Sequence, residues 1–288
     1  MPKGKINVSV ENIFPLIKKF LYSDQEIFLR EIISNATDAL TKIQHLSSIG
    51  EVKGEINELG VEVKIDKKNK TLHVIDNGVG MTSEEVKKYI NDVAFSGAEE
   101  FLEKYKESSK DTGIIGHFGL GFYSSFMVAD KVDVLSLKAG EKTANLWTSD
   151  GRTGYEISSA TREAAGTDIT LYLKKDAKEF LDEPRISHLV RKYSDHLSYQ
   201  VMWQPALVDE ARQLNTGSAL WTREKKDISD EDYTEFYRQI SASYDEPFLT
   251  LHNRSEGAVN YTSLLFVPTA RPFDLFNPDR KSRMQLYI

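Results

Sequence analysis

No cysteine occurs anywhere in the chain. That absence removes structural disulfides, thiol nucleophiles and cysteine-ligated metals together, and it fits a reducing compartment, so a cytoplasmic location is expected. Histidine is scarce, six in 288 residues, and none stands in the His-Glu-x-x-His spacing of a zinc site. No apolar run approaches the roughly 18 residues of a membrane span, and Met1-Pro2-Lys3-Gly4 leads into no signal-like apolar stretch. No membrane partner is expected. Positive charge is in deficit, with 37 Lys+Arg against 44 Asp+Glu for a net −7. Phosphate backbones select strongly basic surfaces, so no general nucleic-acid partner is expected either. What remains is 40% hydrophobic, an ordinary globular composition with length enough for more than one core.

One helix organises the reading. Phe28, Leu29, Ile32, Ile33, Ala36, Ala39, Leu40 and Ile43 share one broad face when wound at about 100° per residue. Along the edge of the opposite face run Glu31, Asn35 and Asp38, a carboxylate, an amide and a second carboxylate in one narrow stripe. Seen alone, this is an amphipathic helix with a solvated face. Ser23 or Asp24 can cap it, with Glu26 in its first turn.

Before it, Ile6 to Val10 alternates like a short strand or arm, and Asn12 can cap a short helix through Phe20. After it, Val61–Ile65 and Leu72–Ile75 alternate on either side of Lys67-Lys68-Asn69-Lys70, a hairpin signal. The second strand runs into Asp76-Asn77-Gly78-Val79-Gly80-Met81, and Thr82 or Ser83 caps a helix behind it. Gly97 opens a charged, weakly amphipathic stretch suited to a surface excursion or lid. Gly116-His117-Phe118-Gly119-Leu120-Gly121-Phe122 then leads into a helix-like run to Ala129. Strands are expected at Val132–Leu137, Asn145–Thr148, Tyr155–Ile157 and Asp168–Leu173, and a helix at Ile186–Tyr199. Short connections predict an α+β fold, a two-layer sandwich with a mainly antiparallel sheet covered by helices on one face. The pattern weakens between Val208 and Ser218, which predicts a first domain over residues 1–212 and a second over 213–288. In the second, a helix is expected near Asp230–Ser241 and strands at Thr262–Val267 and from Leu286.

Gly116, Gly119 and Gly121 follow G-x-x-G-x-G, neither the dinucleotide fingerprint nor a P-loop. Glycines ahead of a helix let N–H groups point at an anion, although a plain glycine turn has the same sequence. Asp76 with Gly78 and Gly80 reads either as an aspartate-capped turn or as a buried acceptor for an exocyclic amine, with Gly80 letting a flat ring approach. The joint occurrence of both motifs, in this order behind the Glu31/Asn35 helix, is far more specific than either.

Together Glu31–Leu40, Asp76–Met81, Gly116–Ser124 and Gly166-Thr167 resemble the four nucleotide-site motifs of the gyrase, heat-shock chaperone, histidine kinase and MutL ATPases. Phe28–Asn35, Gly119–Ser124, Leu220–Arg223 and Pro272–Phe276 are similar to the ninety-kilodalton heat-shock chaperone branch in its bacterial form. The resemblance implies an ATP-binding domain of that fold, followed by the beginning of an α/β middle domain, and hence a fragment. It implies ATP or ADP with Mg²⁺ as ligands, Glu31 as general base and Asn35 as an oxygen ligand to the metal. By the same resemblance Asp76 takes the adenine amine with Thr167 in support, Gly80 and Met81 meet the base, and Gly116, Phe118, Gly119, Gly121 and Phe122 hold the phosphates. Asp38 and Asn91 complete the implied set.

One departure from that family stands out: Phe95 occupies the place of a phosphate-contacting lysine. The resemblance implies unfolded or partly folded client proteins and a homodimer in the full-length chain. The fragment itself is expected to be monomeric and slow in hydrolysis, because the arginine that answers the γ-phosphate comes from a later segment. A DNA-handling ATPase and a phosphotransfer kinase are the rival classes. Net acidity and the branch-specific segments count against the first, and the lack of a phosphoacceptor-histidine helix against the second.

Overall fold

The computed structural model describes residues 24–52, 58–91, 97–105, 121–205, 211–217, 219–241, 244–255, 261–271 and 276. The expected strand at 6–10, the helix at 12–20 and the strand from 286 lie outside them. The chain divides into two compact units, Met1–Gly217 and Ser218–Ile288.

In the first unit the organising helix, α1, spans Ile27–Ser48 and buries Phe28, Leu29, Ile32, Ile33, Ala36, Leu40 and Ile43. Of the two caps expected at its start, Asp24 is engaged. Asp24 Oδ1 accepts the Glu26 N–H at 3.0 Å, and Glu26 occupies the N-cap without a side-chain cap bond. The Glu26 carboxylate reaches instead to a second helix, accepting from Lys192 at 2.6 Å and Tyr193 at 3.0 Å and pairing with Arg185. Three donors hold its pKa at about 2, the Lys192 bond contributing most. That second helix, α5, is Glu183–Ser194, with Pro184 in its first turn, where a missing N–H costs nothing.

Strands β1 (Gly60–Asp66), β2 (Thr71–Asp76), β3 (Ala129–Leu137), β4 (Ala144–Ser149), β5 (Tyr155–Ala160), β6 (Gly166–Leu173), β7 (Gln200–Trp203) and β8 (Arg212–Gln213) form one sheet. Their order is β5-β4-β3-β6-β2-β1-β7-β8. Every neighbouring pair is antiparallel except β1 with β7, which run parallel from Gly60↔Gln200 to Val63↔Trp203. Alternation decides the faces: Val61, Val63 and Ile65, Leu72 and Val74, Val132 and Val134, Ile169 and Leu171 point to the helices and join α1 in one core. The other face carries polar pairs, with His73 Nδ1 3.3 Å from Asp168 and Asp133 accepting from Thr148 at 2.7 Å and Tyr172 at 2.9 Å.

Three short helices surround the sheet's site end. α2 (Ser83–Val86) begins with a reciprocal capping box between Thr82 and Glu85 and continues as a π-helical turn, Lys87–Asn91. α3 spans Gly97–Lys104, and α4 (Ser125–Val128) follows a 3₁₀ turn at Gly121–Ser124. The Asn215–Gly217 turn is tied into this unit, Asn215 accepting the Val201 N–H and Asp195 the Thr216 N–H, each at 2.9 Å.

The second unit packs α6 (Asp230–Ser241) on a hairpin of β9 (Pro247–Ser255) and β10 (Tyr261–Pro268) around Leu220, Ile228 and Phe236. Strand β9 was not foreseen. Among the described residues no helix is long and apolar enough to cross a membrane.

Candidate functional site

A cavity of about 600 Å³ opens in the first unit beside α1, lined by Glu31, Asn35, Asp38, Asp76, Gly80, Met81, Gly121, Phe122 and Thr167, among others. The helical period explains part of this: positions 31, 35 and 38 fall on successive turns of one side of α1. Asp38 is the buried member, 5% exposed, whereas Asn35 is exposed at the cavity wall.

The floor is built where three strands end side by side. Asp76 closes β2, opposite Thr167 on β6, and Thr167 in turn faces Ser136 on β3. Asp76 Oδ1 accepts the Gly78 N–H at 2.8 Å, which folds the chain back at the cavity floor. Burial pushes the Asp76 carboxyl up to about 7, against the opposing pull of the Gly78 N–H, Arg162 and the Thr167 N–H. Arg162 itself donates to the Asp76 carbonyl at 2.9 Å. Behind the floor, Ser136 Oγ accepts the Met81 N–H at 2.9 Å and lies 2.9 Å from Thr167 Oγ1.

The turn after Asp76 can only be glycine-rich. A β-carbon on Gly78 would sit 2.6 Å from the Ala39 carbonyl carbon, and one on Gly80, whose φ is +61°, would sit 1.9 Å from the Leu137 carbonyl oxygen. The Val79 N–H bonds to the Ala39 carbonyl at 3.1 Å, so the turn is clamped to α1. An acceptor carboxylate, an apolar wall and a close backbone suit a flat heterocycle bearing an amine.

At the other end, Glu31 lies against Gly121: a β-carbon there would fall 2.2 Å from Glu31 Oε2. Arg30 Nε donates to Glu31 Oε1 at 3.0 Å. Phe122 is buried edge-on to Trp147, 5.6 Å between ring centroids. A carboxylate backed by a glycine turn and one helical turn from an amide can take a proton from water beside an anion. Gly116, Phe118 and Gly119, the first part of that glycine motif, lie outside the described residues, as do Phe95 and the Asn91 side chain.

Sequence reasoning passed over several contributors. Lys42, on α1 one turn past Asp38, lines the same cavity and donates to the Gly97 carbonyl at 3.1 Å. Burial lowers its pKa, with Asp38 the main opposing charge. Its i+4 spacing from Asp38 was the available signal. Ser136 and Arg162 gave none, since one is a lone serine in a strand and the other a loop arginine.

Comparison with known proteins accords with this arrangement. The model of the histidine kinase-, DNA gyrase B-, and HSP90-like ATPases matches residues 22–176, and that of the Hsp90 proteins matches residues 204–288. The chaperone protein HtpG of Rickettsia typhi is 46% identical over 290 residues, covering 99% of this chain and 46% of its own length. That of Rickettsia akari is 45% identical over 289 residues, with 99% and 46% covered. The HtpG of Roseobacter denitrificans is 45% identical over 281 residues, with 97% and 44% covered. The chain thus spans a little under half the length of the curated relatives it matches. With a buried strand-end aspartate, a glycine turn and a helix-borne glutamate converging on one cavity, the chain belongs to the histidine kinase-, DNA gyrase B- and Hsp90-like ATPase family, in its Hsp90 branch.

Proposed function

We propose that this chain is the nucleotide-binding part of an ATP-dependent molecular chaperone, which binds and hydrolyses ATP with Mg²⁺ and uses the cycle to close a homodimeric clamp on unfolded or partly folded proteins. The observation that carries the reading is the placement of Asp76 and Glu31 at opposite ends of one cavity. Asp76 is the acceptor for the adenine amine, and Glu31 stands where the terminal phosphate and its attacking water would lie. The names of the relatives support a protein-folding role over a DNA-handling one, as does the net charge of −7.

Roles follow from chemistry. Glu31 orients and deprotonates water, a contribution of about 10²–10⁴-fold in rate. Asn35 offers an amide oxygen at the cavity wall. Among the described residues no group of three or more His, Asp or Glu is placed to hold a metal. Asn35 would be the protein ligand to a Mg²⁺, which would supply charge neutralisation on the phosphates. Gly121 supplies close backbone approach, and Met81 packs on the base.

Asp76→Ala should lose ADP binding in titration calorimetry with the fold retained, because the amine loses its carboxylate partner, a cost of about 1–3 kcal/mol. Unchanged affinity would end the reading. Glu31→Ala should keep ATP affinity and lose turnover, whereas Asn35→Ala should lose Mg²⁺-dependent affinity. If the two variants behaved alike, this division of roles would be wrong. A pull-down offering denatured protein and supercoiled DNA tests the partner class, and retention on DNA alone would reverse it.

A further inference from the structure

The loop between β5 and β6 passes directly over the end of β2. Gly166, with φ +122°, makes that approach possible: a β-carbon there would sit 2.1 Å from the Asp76 carbonyl oxygen. Arg162, half-buried on the same loop, uses it. The guanidinium donates through Nη2 to the Asp76 carbonyl at 2.9 Å and through Nη1 to the Ala164 carbonyl. Its fork thus ties the loop to the main chain of the residue that carries the floor carboxylate. Both acceptors are neutral carbonyls, so neither bond cancels the positive charge.

A guanidinium keeps its proton at every working pH. Its charge is therefore a constant beside a group that titrates. The carbonyl and carboxylate of one aspartate lie within about 5 Å of each other by covalent geometry. The anchored charge accordingly stands close to the range in which an opposite charge favours the ionised carboxyl. Other groups around Asp76 do not duplicate it. Asp168, next along β6, has the opposite effect, and β1 sets apolar Val61 opposite Asp76. On α1, Asp38 and Lys42 stand one turn apart with opposite charges. Lys138 and Glu85, which also line the cavity, pair with each other at 2.7 Å. Burial is the strongest influence and holds the carboxyl at about 7. Without Arg162 the balance would move further towards the protonated form.

We infer that Arg162 is a positioning residue for the adenine acceptor: anchored on the Asp76 carbonyl, its permanent charge keeps the neighbouring carboxyl in the ionised form that accepts the amine. This rests on the nucleotide reading of the cavity and extends it to a loop residue outside the cavity lining.

The test is the pH midpoint of Asp76, read in two ways. Carbon-13 NMR of the aspartate carboxyls follows the ligand-free protein, with the Asp76 signal assigned by its loss in Asp76→Asn. Adenosine titrations from pH 6 to 9 follow binding. Arg162→Gln, which removes the charge and keeps a donor, should raise both midpoints by about half a unit to one unit. Adenosine affinity should then fall about two- to fivefold at pH 7 and nearly match wild type at pH 9. Arg162→Lys, which keeps the charge, should hold both midpoints near the wild-type value. A structural role alone would weaken adenosine equally at every pH and leave the midpoints unmoved, and that result overturns the inference. An equal shift in Arg162→Lys overturns it too. Should Arg162→Gln not fold, Arg162→Met, which keeps the apolar stem, carries the same expectation and the same refutation. Wild-type protein that binds no adenosine would instead sink the nucleotide reading, while the ligand-free titration still decides whether Arg162 sets the charge of Asp76.

Discussion

Nucleotide binding should depend on pH through Asp76. Its carboxyl is pushed from 3.8 up to about 7 by burial in the ligand-free protein. Between those values the fold holds a proton that the unfolded chain has released. This group's contribution therefore favours the fold at low pH and is lost as pH rises through about 7. Binding runs the other way. An amine needs the ionised carboxylate, because one oxygen is already engaged by Gly78 at 2.8 Å and a proton on the other would meet the amine donor to donor. Adenine thus selects the charged form and lowers its pKa. With a free-state value of about 7, the ionised fraction falls from about nine-tenths at pH 8 to about one-tenth at pH 6, so apparent affinity should drop about tenfold. Calorimetry of ADP binding in two buffers of different ionisation heat should show about half a proton released per nucleotide at pH 7. Adenosine, which has no phosphate to titrate, should show the same slope by NMR titration. A flat adenosine profile from pH 6 to 8, with no proton exchanged, would refute the reasoning.

Gly121→Ala places a methyl group 2.2 Å from Glu31 Oε2; the flexible carboxylate should swing aside, lowering ATP turnover about tenfold or more with the melting temperature little changed. Equal turnover would show that Glu31 need not rest there. Glu26→Gln removes a carboxylate held at about 2 by Lys192, Arg185 and Tyr193. That stability is present above the unfolded value of 4.5 and is lost as pH falls toward about 2. Urea unfolding should show the variant weaker by about 1–3 kcal/mol at pH 7, with the gap closing in acid; a pH-independent gap would point to packing instead.

The organising helix was legible because its period of apolar residues is long, and the same winding placed Glu31, Asn35 and Asp38 on one side. The antiparallel hairpins β1–β2 and β3–β4–β5 were legible from alternation and turn residues. Strand β7 was not: it has four residues and pairs with β1, 140 positions earlier at Gly60↔Gln200, so nothing local announces it. Strand β9 starts at a proline and ends in the polar run His252-Asn253-Arg254-Ser255, so it lacks the apolar run Leu264–Val267 that marks β10. Glu26 read as a first-turn acid attracted to a helix dipole, yet its partners lie on a helix more than 150 residues away, at Arg185 and Lys192. Ser136 looked like any polar residue in a strand, because its bonds to the Met81 N–H and to Thr167 join it to neighbours 55 and 31 positions away. Long-range pairing, which no short window contains, separates the readable from the unread.

The position of the β1–β2 hairpin within the sheet has a consequence for synthesis. Its two strands lie between β6 and β7, so during translation it emerges with both long edges open and neither partner yet made. A lone two-stranded hairpin is marginal in water, and closing loops of this length is slow. Asp76 meets Thr167 only when β6 has left the ribosome, and the sheet gains its last central pairing with Trp203. Nucleotide therefore has nothing to grip on a growing chain until the first unit is nearly whole. It stabilises the finished domain and leaves earlier intermediates untouched, exposed to the cell's own folding machinery.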